Sequence, residues 1–196
     1  MEKRGLTAEL QAASCSDRQG IYWSDEMRVG LIGQVRRVWA SIGVKVVQKV
    51  EYIYEWTYLN LAVNGLTGSL HWDWTTNMKS VSIAPVVQAW AQEGVEALIW
   101  DRAQGHRGSA YDGIAVQRIE QPPYSPELNP AERVFEYLRD RIEGVVYGAV
   151  AKKREAVERE LKILADNPEN VKSLAGWQWI HDSISTLEQD YSWLLK

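Results

Sequence analysis

The chain has 196 residues, of which 45% are hydrophobic and 24% are charged, a composition typical of one globular domain with a helical appendage. Its single cysteine, Cys15, excludes an intrachain disulfide and a cysteine-rich zinc site, and it suits a reducing, cytoplasmic setting. The net charge of −4 favours no whole-protein attraction to DNA, and the sequence shows neither an apolar run of membrane-spanning length nor a signal-type segment.

The first half of the chain is predicted to form strands. Residues 1–19 are polar and are typical of a linker or a helical remnant. Residues 21–31 predict a strand that carries Asp25 and Glu26 near its centre. Further β-prone runs follow, with turn signals at Gly43 and at Asn64-Gly65 between them. These runs are residues 35–39, 44–50, 52–63 and 69–74.

The second half alternates helices with two more strands. We expect helices over 81–91, 152–164 and roughly 177–195, and strands over 97–100 and 114–119. After the proline-rich passage 121–130, Asn129 is a good N-cap and Pro130 fits the first position of another helix. This order of elements favours an α/β fold, a mixed sheet with helices on its faces.

The region from Met27 to Val50 contains five basic residues and no acidic one, despite the acidic total. The five are Arg28, Arg36, Arg37, Lys45 and Lys49. Such a strip could contact DNA phosphates beside an acidic site, although a solvated hairpin would have the same pattern.

Asp25 and Asp101 are acidic residues in positions that local preference does not explain well. Aspartate is disfavoured inside strands, so Asp25 marks either a functional site or a bulge. Asp101 ends the apolar run 97–100, where it is either a site residue or a polar strand terminus. Glu26 must point to the opposite face from Asp25, which makes it a surface residue or a supporting residue rather than a ligand.

Glu132 has two interpretations that spacing alone leaves open. It occupies the third helical position after the N-cap Asn129, where an acidic side chain completes a capping box. It could instead join Asp25 and Asp101 as a third carboxylate, a role for which Glu127 and Glu136 also compete. Three carboxylates of this kind hold a pair of Mg²⁺ ions about 3.5–4 Å apart in enzymes that break or join phosphodiesters.

Four further side chains near these acids could contact DNA. His106, in a glycine-flanked loop, could contact a phosphate, orient a ligand or simply be exposed. Arg102, Arg107 and Arg133 could clamp phosphates, although exposed arginines are common.

The stretch from Pro122 to Arg133, which reads PPYSPELNPAER, closely resembles the last catalytic motif of mariner-like transposases, and it is most similar to the bacterial insertion sequence 630 family. The residues DEMRVGL that begin at Asp25 resemble the first motif of that family. The residues LIWD that end at Asp101, with His106 following, resemble the second. The resemblance extends over roughly residues 20–145.

This resemblance implies an RNase H-like fold in which Asp25, Asp101 and Glu132 hold two Mg²⁺ or Mn²⁺ ions. It implies DNA cleavage at transposon ends and attack of the freed 3′-hydroxyl on target DNA. It also implies residues 1–19 as a linker or the remnant of an upstream DNA-binding region, 20–145 as the catalytic domain, and 146–196 as helices packed on it.

The partners implied are transposon-end and target DNA, a separate helix-turn-helix subunit and a second copy of the chain, in the bacterial cytoplasm. Arg102 departs from the small or amide residue usual in the family.

Two other functions stay open: an RNase H-like nuclease that only hydrolyses, and an inactive remnant that binds DNA or protein.

Overall fold

The protein is described by a computed structural model that covers residues 18–33, 39–47 and 49–182. Its centre is a five-stranded sheet with the strand order β3-β2-β1-β4-β5. The strands are β1 (Ile21–Gly30), β2 (Trp56–Val63), β3 (Leu70–Thr75), β4 (Ala97–Trp100) and β5 (Gln117–Glu120).

The sheet is mixed, as the alternation of hairpins and helices predicts. Strands β1, β2 and β3 form an antiparallel meander, whereas β4 pairs in parallel with both β1 and β5. The parallel register places Trp23 opposite Ile99. Continued by two residues, this register brings Asp25 of β1 alongside Asp101, which directly follows β4.

In the part of the chain that the structure describes, four complete α-helices cover the two faces of the sheet. They are α1 (Ser80–Gln92), α2 (Ala131–Ile142), α3 (Val150–Ala165) and α4 (Pro168–Ala175). Helix α1 packs on one face, where Ile83, Val87 and Trp90 are buried. Helices α2, α3 and α4 pack on the other face with the larger apolar core. Among the described residues, no helix is long and apolar enough to cross a membrane.

Successive side chains of β1 point to opposite faces of the sheet, so this strand contributes to the apolar cores on both faces. Trp23 and Met27 lie in the core under α2 to α4, whereas Tyr22 lies in the core under α1. Asp25 therefore belongs to the α2 face and Glu26 to the α1 face. The expectation that these two neighbours point to opposite faces is confirmed.

The connection between β2 and β3 follows from the turn signal at Asn64. The side-chain oxygen of Asn64 accepts hydrogen bonds from the backbone N–H groups of Leu66 and Thr67. Gly68 closes the turn with φ of 78°, in the left-handed region, and a side chain there would collide with the backbone of Pro168.

The segment between β1 and β2 differs from the prediction. No strand forms over 44–50 within its described residues, although the expected turn is present and Gly43 has φ of 84°. The valines of this run are exposed, so they gain none of the side-chain packing that stabilises residues of high β propensity in a sheet. The predicted run 35–39 lies almost entirely outside the described residues.

The carboxyl-terminal third contains one helix that the sequence reading missed, α4. The expected final helix is seen only from 178 to 182, and the remainder lies outside the described residues, as do residues 1–17. Residues 117–120 form the strand expected over 114–119, three residues later than predicted at its start. The proposed division at residues 19 and 145 stays a prediction.

Candidate active site

Asp25, Asp101 and Glu132, which come from three different elements, line one pocket of about 550 Å³. The wall opposite the strands is the proline-rich loop between β5 and α2. The loop residues at the pocket are Gln121, Pro122, Pro123, Tyr124, Ser125, Pro126 and Asn129. Tyr124 has φ of 58°, the one non-glycine residue of the described chain in the left-handed region.

Asp25 is the most enclosed of the three acids. Its Oδ1 accepts the N–H of Glu26 at 2.8 Å, and its Oδ2 accepts the side-chain amide of Asn129 at 3.3 Å. Burial, the largest cause, raises the pKa of Asp25 to about 7 together with the nearby negative charges, against the N–H of Glu26, whose hydrogen bond lowers it. The charges are those of Glu26, Glu132 and Asp101. The negative groups of the pocket are therefore close enough to disfavour one another's charge.

Asp101 lies at the exposed mouth of the pocket, with its side chain 58% exposed. Nδ1 of His106 is shared between Oδ1 of Asp101, at 2.8 Å, and the backbone carbonyl of Asp101, at 3.1 Å. Oδ1 also accepts the N–H of Ala103 at 2.8 Å. The hydrogen bond from His106 lowers the pKa of Asp101 below its usual value. Asp101 is thus held as a carboxylate.

Glu132 does not form the capping box that its position allows. Asn129 does cap α2, because its side-chain oxygen accepts the N–H of Ala131 at 3.1 Å. The N–H of Asn129 donates to the carbonyl of Pro126 instead of to Glu132. The Glu132 carboxylate is 39% exposed and has Arg139 at 3.7 Å. It stands at the positive end of α2, where a negative charge is favoured.

The two other glutamates considered for the third position lie elsewhere. Glu136 forms an exposed ion pair with Arg133 at 2.8 Å, and neither it nor Glu127 lines the pocket. Of the three candidates, the structure brings only Glu132 to Asp25 and Asp101.

His106 is buried, which corrects the expectations of an exposed loop residue and of one available to a DNA phosphate. The remaining alternative, that it orients a ligand, agrees with its contact with Asp101. The side chain of His106 is 2% exposed, and Nε2 lies 3.0 Å from both carboxylate oxygens of Glu26. Burial would lower the pKa of His106, but the hydrogen bonds with Asp101 and Glu26 raise it to about 10. Since both ring nitrogens face carboxylates, both are donors and the ring is positively charged.

Glu26 is likewise a supporting residue and not a surface one, because its side chain is also 2% exposed. The sequence signal that could have revealed this pair is Trp100, whose ring stacks on His106 with a centroid distance of 4.3 Å and an interplanar angle of 3°. An aromatic residue at the end of a buried strand creates an apolar surface against which a nearby loop side chain can fold.

The predicted DNA-contacting cations are distributed around the pocket and along β1. Arg102 and Arg107 both approach Glu120, at 3.2 and 3.6 Å, and Arg102 also lines the pocket. Arg28 is exposed and its guanidinium lies 4.2 Å from the ring of Trp56. Lys45 is exposed, whereas Arg36 and Arg37 lie outside the described residues. A DNA-binding role for these residues stays a prediction.

The donor set of the pocket suits a hard divalent cation, although the side chains do not yet converge on one. No group of three His, Cys, Asp or Glu side chains in the described part of the chain is arranged closely enough to hold a metal ion. Carboxylate oxygens are nevertheless the ligands that Mg²⁺ and Mn²⁺ prefer, and a cation would relieve the repulsion that raises the pKa of Asp25.

The five-stranded mixed sheet with helices on both faces defines a class of protein, those with an RNase H-like fold. The sequence pattern of the DDE superfamily endonucleases matches residues 20–147, and the chain belongs to that family. No curated protein sequence matches the chain.

Solved structures of the Mos1 mariner transposase share the fold. The paired end complex with Mn has a TM-score of 0.58 at 10% identity, over 93% of this chain and 62% of that one. The strand transfer complex has a TM-score of 0.60 at 15% identity, over 96% of this chain and 59% of that one. This chain thus spans about three fifths of the length of those proteins. The likeness confirms the RNase H-like fold, with a mixed sheet between helices.

Proposed function

We propose that this protein is the catalytic domain of a DNA transposase, which cleaves DNA at transposon ends and joins the freed 3′-hydroxyl to target DNA. The observation that carries the proposal is the position of Asp25, Asp101 and Glu132 around one pocket in a member of the DDE endonuclease family. The acids come from β1, the end of β4 and the start of α2, so only the folded chain assembles them.

Two Mg²⁺ or Mn²⁺ ions held by Asp25, Asp101 and Glu132 would activate the attacking oxygen and neutralise the leaving oxygen during phosphodiester transfer. The chain's own residues prepare the carboxylates for this role. Asn129 orients Asp25, and the His106 hydrogen bond orients Asp101. Among the described residues, the ion-pair partner of Glu132 is Arg139 at 3.7 Å, a loose contact that lets the Glu132 carboxylate turn further into the pocket.

DNA is the proposed substrate. Two similar solved structures are a Mos1 complex with a left transposon end and a Mos1 strand transfer complex. In this chain the pocket opens beside Arg102, whose guanidinium could contact a phosphate. A helix-turn-helix subunit and a second copy of the chain are the proposed partners for recognising and pairing transposon ends, in the cytoplasm.

A nicking and joining assay with plasmid and oligonucleotide DNA in Mg²⁺ or Mn²⁺ tests the proposal. Loss of even a supporting residue at a metal site costs about 10–100-fold, so we expect Asp25→Asn, Asp101→Asn and Glu132→Gln each to lose at least about 100-fold in activity. Glu136→Gln is the matched control, because it removes an acid of α2 that lies away from the pocket.

The products separate the proposed function from its alternatives. Joined products from pre-cleaved ends support a transposase, whereas nicking without joining indicates a nuclease that only hydrolyses. Metal-independent DNA binding with no cleavage, unchanged in all the acid variants, would contradict the proposed site and indicate a binding module.

A further inference from the structure

Asp101 has the most exposed side chain of the three acids, so its orientation depends on the groups that contact it. It follows the last residue of β4 and its side chain is more than half exposed, so it could adopt several rotamers. Its Oδ1 accepts the N–H of Ala103 and lies 2.8 Å from Nδ1 of His106, which also donates to the Asp101 backbone carbonyl at 3.1 Å. These contacts restrain Oδ1, and among the described residues no hydrogen bond to Oδ2 competes with a cation.

The group that fixes Asp101 is itself immobilised from three sides. Trp100 stacks on the ring of His106, and Glu26 accepts from Nε2 with both carboxylate oxygens. The loop that carries His106 is also held, because the hydroxyl of Tyr111 donates to the carbonyl of Gly105 at 2.6 Å. A side chain at position 105 would collide with the carbonyl of Met78, so the loop packs directly on the backbone before α1.

The anchor of this arrangement lies beside another acid of the site. Glu26 follows Asp25 in β1 and points to the α1 face, where its buried carboxylate needs a cationic or hydrogen-bonding partner. His106 satisfies Glu26 with one nitrogen and Asp101 with the other. The buried His106 thereby links the end of β4 to the centre of β1.

We infer that His106, anchored by Glu26 and Trp100, is a positioning residue that holds the Asp101 carboxylate ready for a divalent cation. This inference rests on the proposed function. It assigns to Glu26 and His106 a role in metal affinity, beyond their role in packing. Hydrogen-bonding partners behind a metal ligand contribute about 10–100-fold to metal affinity in other sites.

Two amide variants separate the two roles of His106. The amide of glutamine can reach the place of Nε2, so His106→Gln retains a donor for Glu26 and loses the donor to Asp101. The amide of asparagine can reach the place of Nδ1, so His106→Asn retains the donor to Asp101 and loses contact with Glu26. If His106 positions Asp101, metal affinity is kept in His106→Asn and lost in His106→Gln. If His106 acts only in packing, metal affinity and thermal stability are both kept in His106→Gln and both reduced in His106→Asn.

The experiment measures Mn²⁺ binding to the purified chain by electron paramagnetic resonance of free Mn²⁺, with circular dichroism and thermal unfolding of the metal-free protein. We expect His106→Gln to weaken Mn²⁺ binding at least about 10-fold with its fold intact. We expect His106→Asn to bind Mn²⁺ within about 3-fold of wild type when corrected for the folded fraction. His71→Gln is the matched control, because His71 pairs with Glu93 at 2.7 Å away from the pocket.

The reference variant Asp101→Asn keeps the two possible failures apart. If Asp101→Asn weakens Mn²⁺ binding and His106→Gln does not, the positioning role is wrong and the proposed metal site stands. If Asp101→Asn binds Mn²⁺ as well as wild type, the metal site and the inference built on it both fail. Equal weakening by His71→Gln and His106→Gln would also overturn the positioning role.

Discussion

Among single residues, Asp25 is the acid of the pocket whose pKa the surroundings raise. Its pKa of about 7 lies well above its usual value, chiefly because the side chain is buried. The folded-state pKa exceeds that of the unfolded chain, so protonated Asp25 stabilises the metal-free protein fully below about pH 4. That contribution is lost as the pH rises through about 7, when Asp25 becomes a carboxylate able to bind a cation.

The increase in Tm caused by Mg²⁺ should therefore be larger at about pH 8 than at about pH 6, because protons compete with the cation for Asp25. Thermal unfolding with and without Mg²⁺ measures this difference. Asp25→Asn should abolish it, whereas Asp112→Asn, which removes an exposed acid, should leave it unchanged. An equal Mg²⁺ effect on wild type at both pH values would contradict the role of Asp25.

The three acids predicted from the sequence line one pocket, whereas the contact between their supporting residues was not predicted. Asp25 stood out because aspartate is disfavoured inside a strand, and Glu132 needed the resemblance of its surrounding motif to be preferred over its capping role. Supporting roles for His106 and Glu26 were among the alternatives, but their burial against each other was not predicted, because a glycine-flanked histidine and a glutamate in a strand both suggest exposure. Their pairing depends on a contact between residues 80 positions apart, which no local pattern reports.

Among the elements, the start of α2 joins the fold to the site through Asn129. This buried side chain accepts the N–H of Ala131, and its amide donates to the carbonyl of Ser24 at 3.0 Å and to Asp25. One residue thus caps the helix that carries Glu132 and attaches that helix to the strand that carries Asp25.

Asn129→Ala should lower the free energy of unfolding by about 2–4 kcal/mol, from a lost cap and an unsatisfied buried carbonyl. Urea unfolding measures this change. Asn170→Ala, at an exposed position of α4, should change stability by less than about 0.5 kcal/mol. Similar values for the two variants would show that Asn129 does not join α2 to β1.

Elements with clear periodicity were predicted and those that depend on distant partners were not. The apolar stripe of α2 and the alternation of β1 are properties of the local sequence, and both elements were found where expected. The run 44–50 has high β propensity, but its described residues are exposed and form no strand. Helix α4 has only eight residues, too few for a periodic signal.

In the whole molecule, the site draws residues from both faces of the sheet. Asp25 faces the α2 side, and the Glu26 and His106 pair lies on the α1 side. The parallel pairing of β1 with β4 brings Asp25 and Asp101 together, and α2 then adds Glu132. A mixed sheet could be predicted from the order of elements, whereas the strand order β3-β2-β1-β4-β5 follows from pairings that the sequence does not display.

The central claim is that Asp25, Asp101 and Glu132 together bind a pair of divalent cations. Anomalous diffraction from crystals of the protein grown with Mn²⁺ tests it directly. We expect two Mn²⁺ peaks about 3.5–4 Å apart, in contact with these three carboxylates. Ordered carboxylates at this pocket with no Mn²⁺ between them, while Mn²⁺ occupies other sites in the same crystal, would contradict it.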